Sequence, residues 1–311
     1  YNALHDNNST SYLNGVENTA IGAFALEKNT IGLGNTANGF EALYSNTSGH
    51  YNTANGRKAL HDNESGWSNT AVGDHALHEN ESGWSNTAVG GHALHDNKSG
   101  WYNIAVGNHA LYYNTSGDDN TAIGYFALLT NKTGELNTAI GYDADVASDN
   151  LINATAIGNE AIVDASNRVR IGNEDVSQIG GQVAWSNLSD RRDKEDIDEV
   201  PLGLAFIRDL KPVAFKLKNG NGRQGMGFIA QDIEELIGTE YNLLGIGGTE
   251  ERKLSLRYTD LIAPMVRAIQ EQQEIISELR GEIETLKAQL ETVKAGRESI
   301  QAFQNLTLKT E

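Results

Sequence analysis

Residues 69–77 read N-T-A-V-G-D-H-A-L, and residues 86–94 read N-T-A-V-G-G-H-A-L. Outward from this pair, glycine recurs every 17 residues at Gly22, Gly39, Gly56, Gly73, Gly90, Gly107, Gly124, Gly141 and Gly158, each with alanine three residues on. Self-similarity at a short fixed period means a solenoid or stacked array. The unit reads as a short strand (N-T-A-V-G), a second apolar pair (Ala76-Leu77) and a turn rich in Asn, Ser and Gly, which tolerate positive φ. A second glycine follows each turn segment, from Gly32 and Gly49 through Gly134. Each copy offers four dependable apolar side chains, Ala, Val or Ile, Ala and Leu. These cannot alone offset a backbone ordering cost of about 1–2 kcal/mol per residue. The copies are therefore expected to share a core along the chain, and with other chains about an axis.

Composition agrees with a fibre rather than one conventional globule: 39% of the 311 residues are hydrophobic and 33 are glycine. The absence of cysteine excludes disulfides, thiolate metal sites and a cysteine nucleophile. No apolar run is long enough to span a membrane, and no signal peptide is read. Residues 1–160 carry 5 Lys and Arg against 17 Asp and Glu, within a net charge of −18. A surface of that sign does not hold phosphate, so nucleic acid is not expected as a partner, and no cofactor is expected. The chain opens in mid-pattern, because Ala3-Leu4-His5-Asp6-Asn7 repeats the A-L-H-D-N of 59–63 and 93–97; it is read as the C-terminal portion of something longer.

The repeat copies three ladders. Trp67, Trp84 and Trp101 share one position and are expected to stack, either as packing between turns or as a carbohydrate-binding row. His75, His92 and His109 form a second ladder, and His61, His78 and His95 a third. Imidazole rows bind metal where chains converge, and they also occur as plain solvent-facing positions. The N-x-S/T triplets at Asn46, Asn63, Asn80, Asn97, Asn114 and Asn131 match the glycosylation pattern but read more simply as copied turn residues.

Beyond residue 160 the chemistry changes. R-V-R-I-G-N at 168–173 and V-S-Q-I-G-G-Q-V-A-W at 176–185 alternate apolar and polar residues, as short strands broken by glycine do. Asn187-Leu188-Ser189 reads as a loop, and Trp185 as a tryptophan packed in the strand region or over that loop. Residues 196–210 read as a short helix with Pro201 in its first turn, stopped by Pro212. Residues 213–217 and 226–229 read as strands around a turn at 219–222, with a helix resuming over 230–236. From Ile262 the chain falls into heptads, with Ile262, Ile269, Ile276, Ile283 and Leu290 at one core position and Met265, Gln272, Leu279, Leu286 and Val293 at the other. This is the pattern of a coiled coil, and Gly296 marks where it is expected to fray.

At the boundary stands Ser189-Asp190-Arg191-Arg192-Asp193-Lys194. A serine hydroxyl is a poor nucleophile until a base takes its proton, and lysine serves as that base where burial holds it neutral. Ser and Lys five apart are also ordinary surface residues, so the spacing alone leaves both readings open.

Six motifs between Asn167 and Leu290 carry a resemblance: N-R-V-R-I-G-N (167–173), I-G-G-Q-V-A-W (179–185), S-D-R-R-D-K-E-D-I (189–197), L-K-P-V-A-F (210–215), G-F-I-A-Q-D-I (227–233) and R-Y-T-D-L-I-A-P (257–264). In this order they resemble the C-terminal intramolecular-chaperone, self-cleaving peptidase family of phage tailspikes and tail fibres. Residues 18–160 resemble the β-roll head repeats of trimeric adhesins and the N-T-A-I-G repeats of phage fibres. The resemblance implies that Ser189 is the nucleophile, Lys194 its general base, and the bond from Leu188 to Ser189 the one cut. It also implies an interchain β stem before the cut and three strands in the coil, where the Ile/Leu rule alone leans toward two. One departure bears on the speed and completeness of cleavage: many members carry a His two residues before the G-F-I-A-Q glycine, and this chain has Gly225.

The expected fold is thus a mainly β, elongated homotrimeric fibre of 17-residue β-solenoid or β-roll repeats, then a small α+β chaperone domain and a trimeric coiled coil. Its expected parts are a repeat shaft or head over 1–160, a β stem over 161–188, an autopeptidase domain over 189–258, and coil with polar tail over 259–311. The function implied is the distal part of a phage-type tail fibre, or of a related injection-particle fibre, that meets a host receptor or glycan. Such a fibre is made in the bacterial cytoplasm and displayed on the particle. The alternative is a trimeric bacterial surface adhesin whose C-terminal domain assembles without cutting; a serine protease acting in trans lacks any readable substrate pocket.

Overall fold

In the computed structural model, residues 2–7, 15–183, 185–218, 222–247 and 252–307 are described, the last six of these by backbone only. Residues 219–221 of the turn expected at 219–222, and residues 308–311 of the polar tail, lie outside the described residues. Two compact units are present: one on residues up to Gly180, with the described parts of 217–222 and 247–253, and one on Gly181–Lys216, Arg223–Ile246 and the chain from Leu254 onward.

The first unit is a β-solenoid of about nine turns at 17-residue spacing. Each turn contributes a strand of three residues. Thr70–Val72 pairs in parallel with Thr53–Asn55 on one side and Thr87–Val89 on the other, with Ala71 facing Ala54 and Ala88. Ten such strands, from Thr19–Ile21 to Val169–Ile171, make one sheet. The last step shortens to 14 residues, Thr155 against Val169, and the sheet enters the segment read as a stem.

Strand alternation sends the central alanine inward and its neighbours outward. Ala71, Ala76 and Leu77 are fully buried and form, with their counterparts, one continuous core. The Val or Ile counted as a fourth core residue faces outward instead, as at Val89, Ile123 and Ile140.

The remaining interior is polar. Asn63 donates from Nδ2 to Oδ1 of Asn46 at 2.8 Å and to the Gly66 carbonyl at 3.1 Å, and Asn80 repeats the pattern one turn on. A second row stands beside it: the Asn69 N–H donates to Asn52 Oδ1 at 3.0 Å, and Asn69 Nδ2 to the Gly83 carbonyl at 2.7 Å. An amide both gives and accepts, so stacked asparagines satisfy one another and fix the register. Asn46, Asn63, Asn80, Asn97, Asn114 and Asn131 are fully buried, which leaves none of these N-x-S/T amides open to a glycan.

Gly73 holds φ at +140°, and a Cβ there would land on the Gly90 carbonyl oxygen. Gly73→Ala combines a strained backbone with an overpacked contact. We expect a loss of about 3 kcal/mol, measured by denaturant unfolding.

Asp145 is the buried carboxylate of this unit. It accepts from Thr130 N–H at 3.0 Å and Val146 N–H at 2.8 Å, and burial pushes it up to about 6. Its protonated form is favoured by folding, so its contribution is complete below the ordinary carboxylate range and is lost as pH rises through about 6. The melting temperature of Asp145→Asn minus that of wild type should therefore climb as pH is raised through that value.

The second unit is small and mixed. Helix α1, Leu204–Asp209, packs on the long helix α3, Ile262–Thr307, and helix α2, Ala230–Ile237, lies near the hairpin of Leu244–Ile246 and Leu254–Leu256. Phe206, Ile233, Leu243, Leu244 and Leu261 form its core. The helix expected over 196–210 is cut to its second half, with Pro201 outside it. Val200 precedes a proline and is biased toward extended backbone, and Gly203 caps the helix with φ −121° and ψ −140°. α3 runs unbroken through Gly296.

No strand forms over 173–183 among the described residues, and Trp185 is 83% exposed, packed neither in a strand region nor over the Ser189 loop. No described helix is long and apolar enough to cross a membrane.

Candidate functional site

The Ser189–Lys194 segment is shaped by its own sequence. Asp190 accepts from the Arg192 N–H at 2.9 Å and caps a short 3-10 turn, Arg191–Asp193. The Arg192 guanidinium then forks onto the same carboxylate, with Nε 3.1 Å from Oδ1 and an NH2 nitrogen 2.6 Å from Oδ2. The Arg192 side-chain hydrogen bonds, ahead of its backbone one, hold the Asp190 carboxyl below its usual range. The Lys194 N–H donates to the Arg191 carbonyl at 3.3 Å and ends the turn. The chain has by then doubled back, and Lys194 Nζ donates to Ser189 Oγ at 2.8 Å.

The structure therefore brings the two sequence-derived residues into contact. It also places Ser189 and Lys194 at an exposed position, with Leu188 81% exposed. A lysine that donates to the hydroxyl has the polarity opposite to a base, and a lysine serves as base only where its surroundings are desolvated.

The motifs downstream interlock. Val213–Phe215 pairs antiparallel with Gly225–Gly227, which sets Gly225 opposite Phe215. The Tyr258 hydroxyl accepts from the Phe228 N–H at 3.1 Å, and a Cβ on Gly227 would strike that hydroxyl. Sequence reasoning missed Glu271. Its carboxylate reaches from α3 to accept the Leu204 N–H at 2.7 Å at the start of α1, and the Arg267 Nε holds it at 2.9 Å. That Leu204 backbone bond, then Arg267, draws the Glu271 carboxyl below its usual range. No local motif signals a cap supplied from 67 residues away.

The tryptophan ladder stacks face to face. Trp67, Trp84 and Trp101 follow at 4.9 and 5.1 Å between ring centroids with planes within 2° of parallel, and Tyr102 meets Trp84 and Trp101 edge-on. The rings thus pack face to face between turns, and Trp67 at the end of the row is 45% exposed.

The histidines form two adjoining columns rather than a plain surface row. His61, His78 and His95 stack 5.0 Å apart, closed by Tyr44 and Tyr112. His75, His92 and His109 stack beside them at the same spacing. Burial lowers His78 to about 4, and lowers His92 and His109 as well. The rings of His75, His92 and His109 lie in a row and do not converge on one point.

Residues 189–240 match the family Peptidase_S74, chaperone of endosialidase. This is a family of self-cleaving intramolecular chaperones. The match begins at Ser189 and takes in Lys194, the hairpin containing Gly225, and α2. No curated protein matches the chain. A β-solenoid followed by this segment fits a phage tail fibre or tailspike with a C-terminal chaperone.

Proposed function

We propose that the chain is the distal part of a phage-type tail fibre that recognises a host surface, and that its C-terminal region trimerises and folds the fibre and then cuts itself free before Ser189. The observation that carries this reading is the 2.8 Å contact between Lys194 Nζ and Ser189 Oγ at the head of the family match. Lys194, once neutral, takes the Ser189 proton; Oγ attacks the Leu188 carbonyl carbon, and an ester replaces the amide. The proton passes to the departing Ser189 nitrogen, and water hydrolyses the ester. The reaction occurs once per chain.

Trimerisation is supported by the outer face of α3. Ile262, Ile269, Ile276, Ile283 and Leu290 are between 39% and 65% exposed, a heptad row that water does not favour. The partners proposed are two further copies of the chain and a host-surface receptor or glycan, with the fibre displayed on the particle. A denaturing gel of freshly expressed protein tests the cut. Two fragments of 188 and 123 residues are expected, the shorter beginning Ser189-Asp190-Arg191; a single full-length band in assembled protein would count against it.

A further inference from the structure

The two histidine columns bring carboxylates with them. His61, Asp62 and His78 place their ligand atoms within 4.8 Å of one another, as do Asp74, His75 and His92, and Glu79, His95 and Asp96. The first cluster differs from the others. Asp62 lies between two imidazoles, with Oδ1 2.6 Å from His61 Nδ1 and Oδ2 3.7 Å from His78 Nδ1. His78 Nδ1 is buried and has no hydrogen-bond partner, an orphan that a folded protein ordinarily avoids; His92 Nδ1 in the second cluster shares that state, so what separates the two is the carboxylate beside them. Behind the site, Glu41 Oε2 stands 3.6 Å from His61 Nε2, where it can take the far N–H of a ligating imidazole and fix its tautomer.

We propose that His61, Asp62 and His78 bind a divalent transition metal of the zinc type, with water completing the shell on the open side of Asp62. Bonds of about 2.0–2.2 Å to nitrogen and oxygen span the 3.7 Å gap between His78 Nδ1 and Asp62 Oδ2 once the stacked His61 and His78 rings turn about their Cβ–Cγ bonds to aim their Nδ1 lone pairs at the ion. His61 Nδ1 then exchanges its carboxylate bond for the metal. Two imidazoles select against calcium and magnesium, which take oxygen. Neither companion cluster is equivalent. Arg57 forks onto Asp74 at 2.8 and 3.0 Å and places a cation where the metal would sit. The third supplies a single imidazole, with carboxylates for its other groups.

The test is calorimetric titration of the full chain with zinc chloride, beside melting curves with and without zinc. Saturable binding of one zinc per chain and a raised melting temperature are expected. Asp62→Asn should weaken binding at least about tenfold and remove the thermal shift. Asp74→Asn, at the Arg57-blocked cluster, should bind as wild type does. Absence of saturable binding, or equal binding by wild type and Asp62→Asn, would overturn the proposal. Should Asp62→Asn melt lower without metal, cobalt(II) bound to the wild-type chain gives an independent reading: an intense tetrahedral visible band is expected, and its absence is fatal to the site.

Discussion

Ser189→Ala is expected to leave one full-length band under conditions that convert wild type to two fragments, with cleavage slowed by at least about 10,000-fold. The argument is local. Among the described residues the Lys194 Nζ contact is made to Ser189 Oγ, 2.8 Å away, and alanine removes the atom that would attack while leaving the Asp190-capped turn in place. Lys194→Ala removes the base and should also leave the chain uncut. Lys194→Arg is the sharper variant, because a guanidinium can keep a hydrogen bond to the serine but does not surrender its proton. If the lysine only positions the loop, Lys194→Arg should still cut; if it acts as the base, it should not. Complete cleavage of Ser189→Ala would remove Ser189 from the mechanism altogether.

The glycine period made the solenoid legible, since Gly73 and its counterparts mark where one turn touches the next. The inward set Ala71, Ala76 and Leu77 followed from the same pattern. The assignment of Val72 inward did not survive, because a strand of three residues has one inward side chain and Ala71 takes it. The buried asparagine rows were hidden by their chemistry: Asn in N-x-S looks like a turn residue, and only stacking reveals that Asn63 and Asn80 satisfy each other inside. His75 and Leu77 hold φ of 54° and 51°, a left-handed backbone that neither residue type announces. At the candidate site, spacing suggested the Ser189–Lys194 pair, whereas its closure depends on the Asp190 cap and the Arg192 fork. That the pair is exposed could not be read from sequence, and it changes the chemistry required of assembly.

That exposure leads to the second large effect. Lys194 lies open to water in the single chain, and the base role proposed for it needs desolvation, which the proposal assigns to assembly. The surface we propose for assembly is the α3 row, where Ile276 and Ile283 are 39% and 49% exposed. Replacing both with aspartate puts repelling carboxylates into every chain of the coil at positions that packing would dehydrate, which should abolish oligomerisation. Ser189, Lys194 and the turn between them are untouched, and the core around Phe206 and Ile233 contains neither mutated residue. The expected product is therefore monomeric or aggregated and remains uncut, where wild type is expected to be trimeric and cut. Size-exclusion chromatography with light scattering, followed by a denaturing gel of the same fractions, reads both properties together. A monomeric double variant that still cuts to completion would mean that Ser189 and Lys194 work within one chain, and the proposal that cleavage reports a finished trimer would have to be given up.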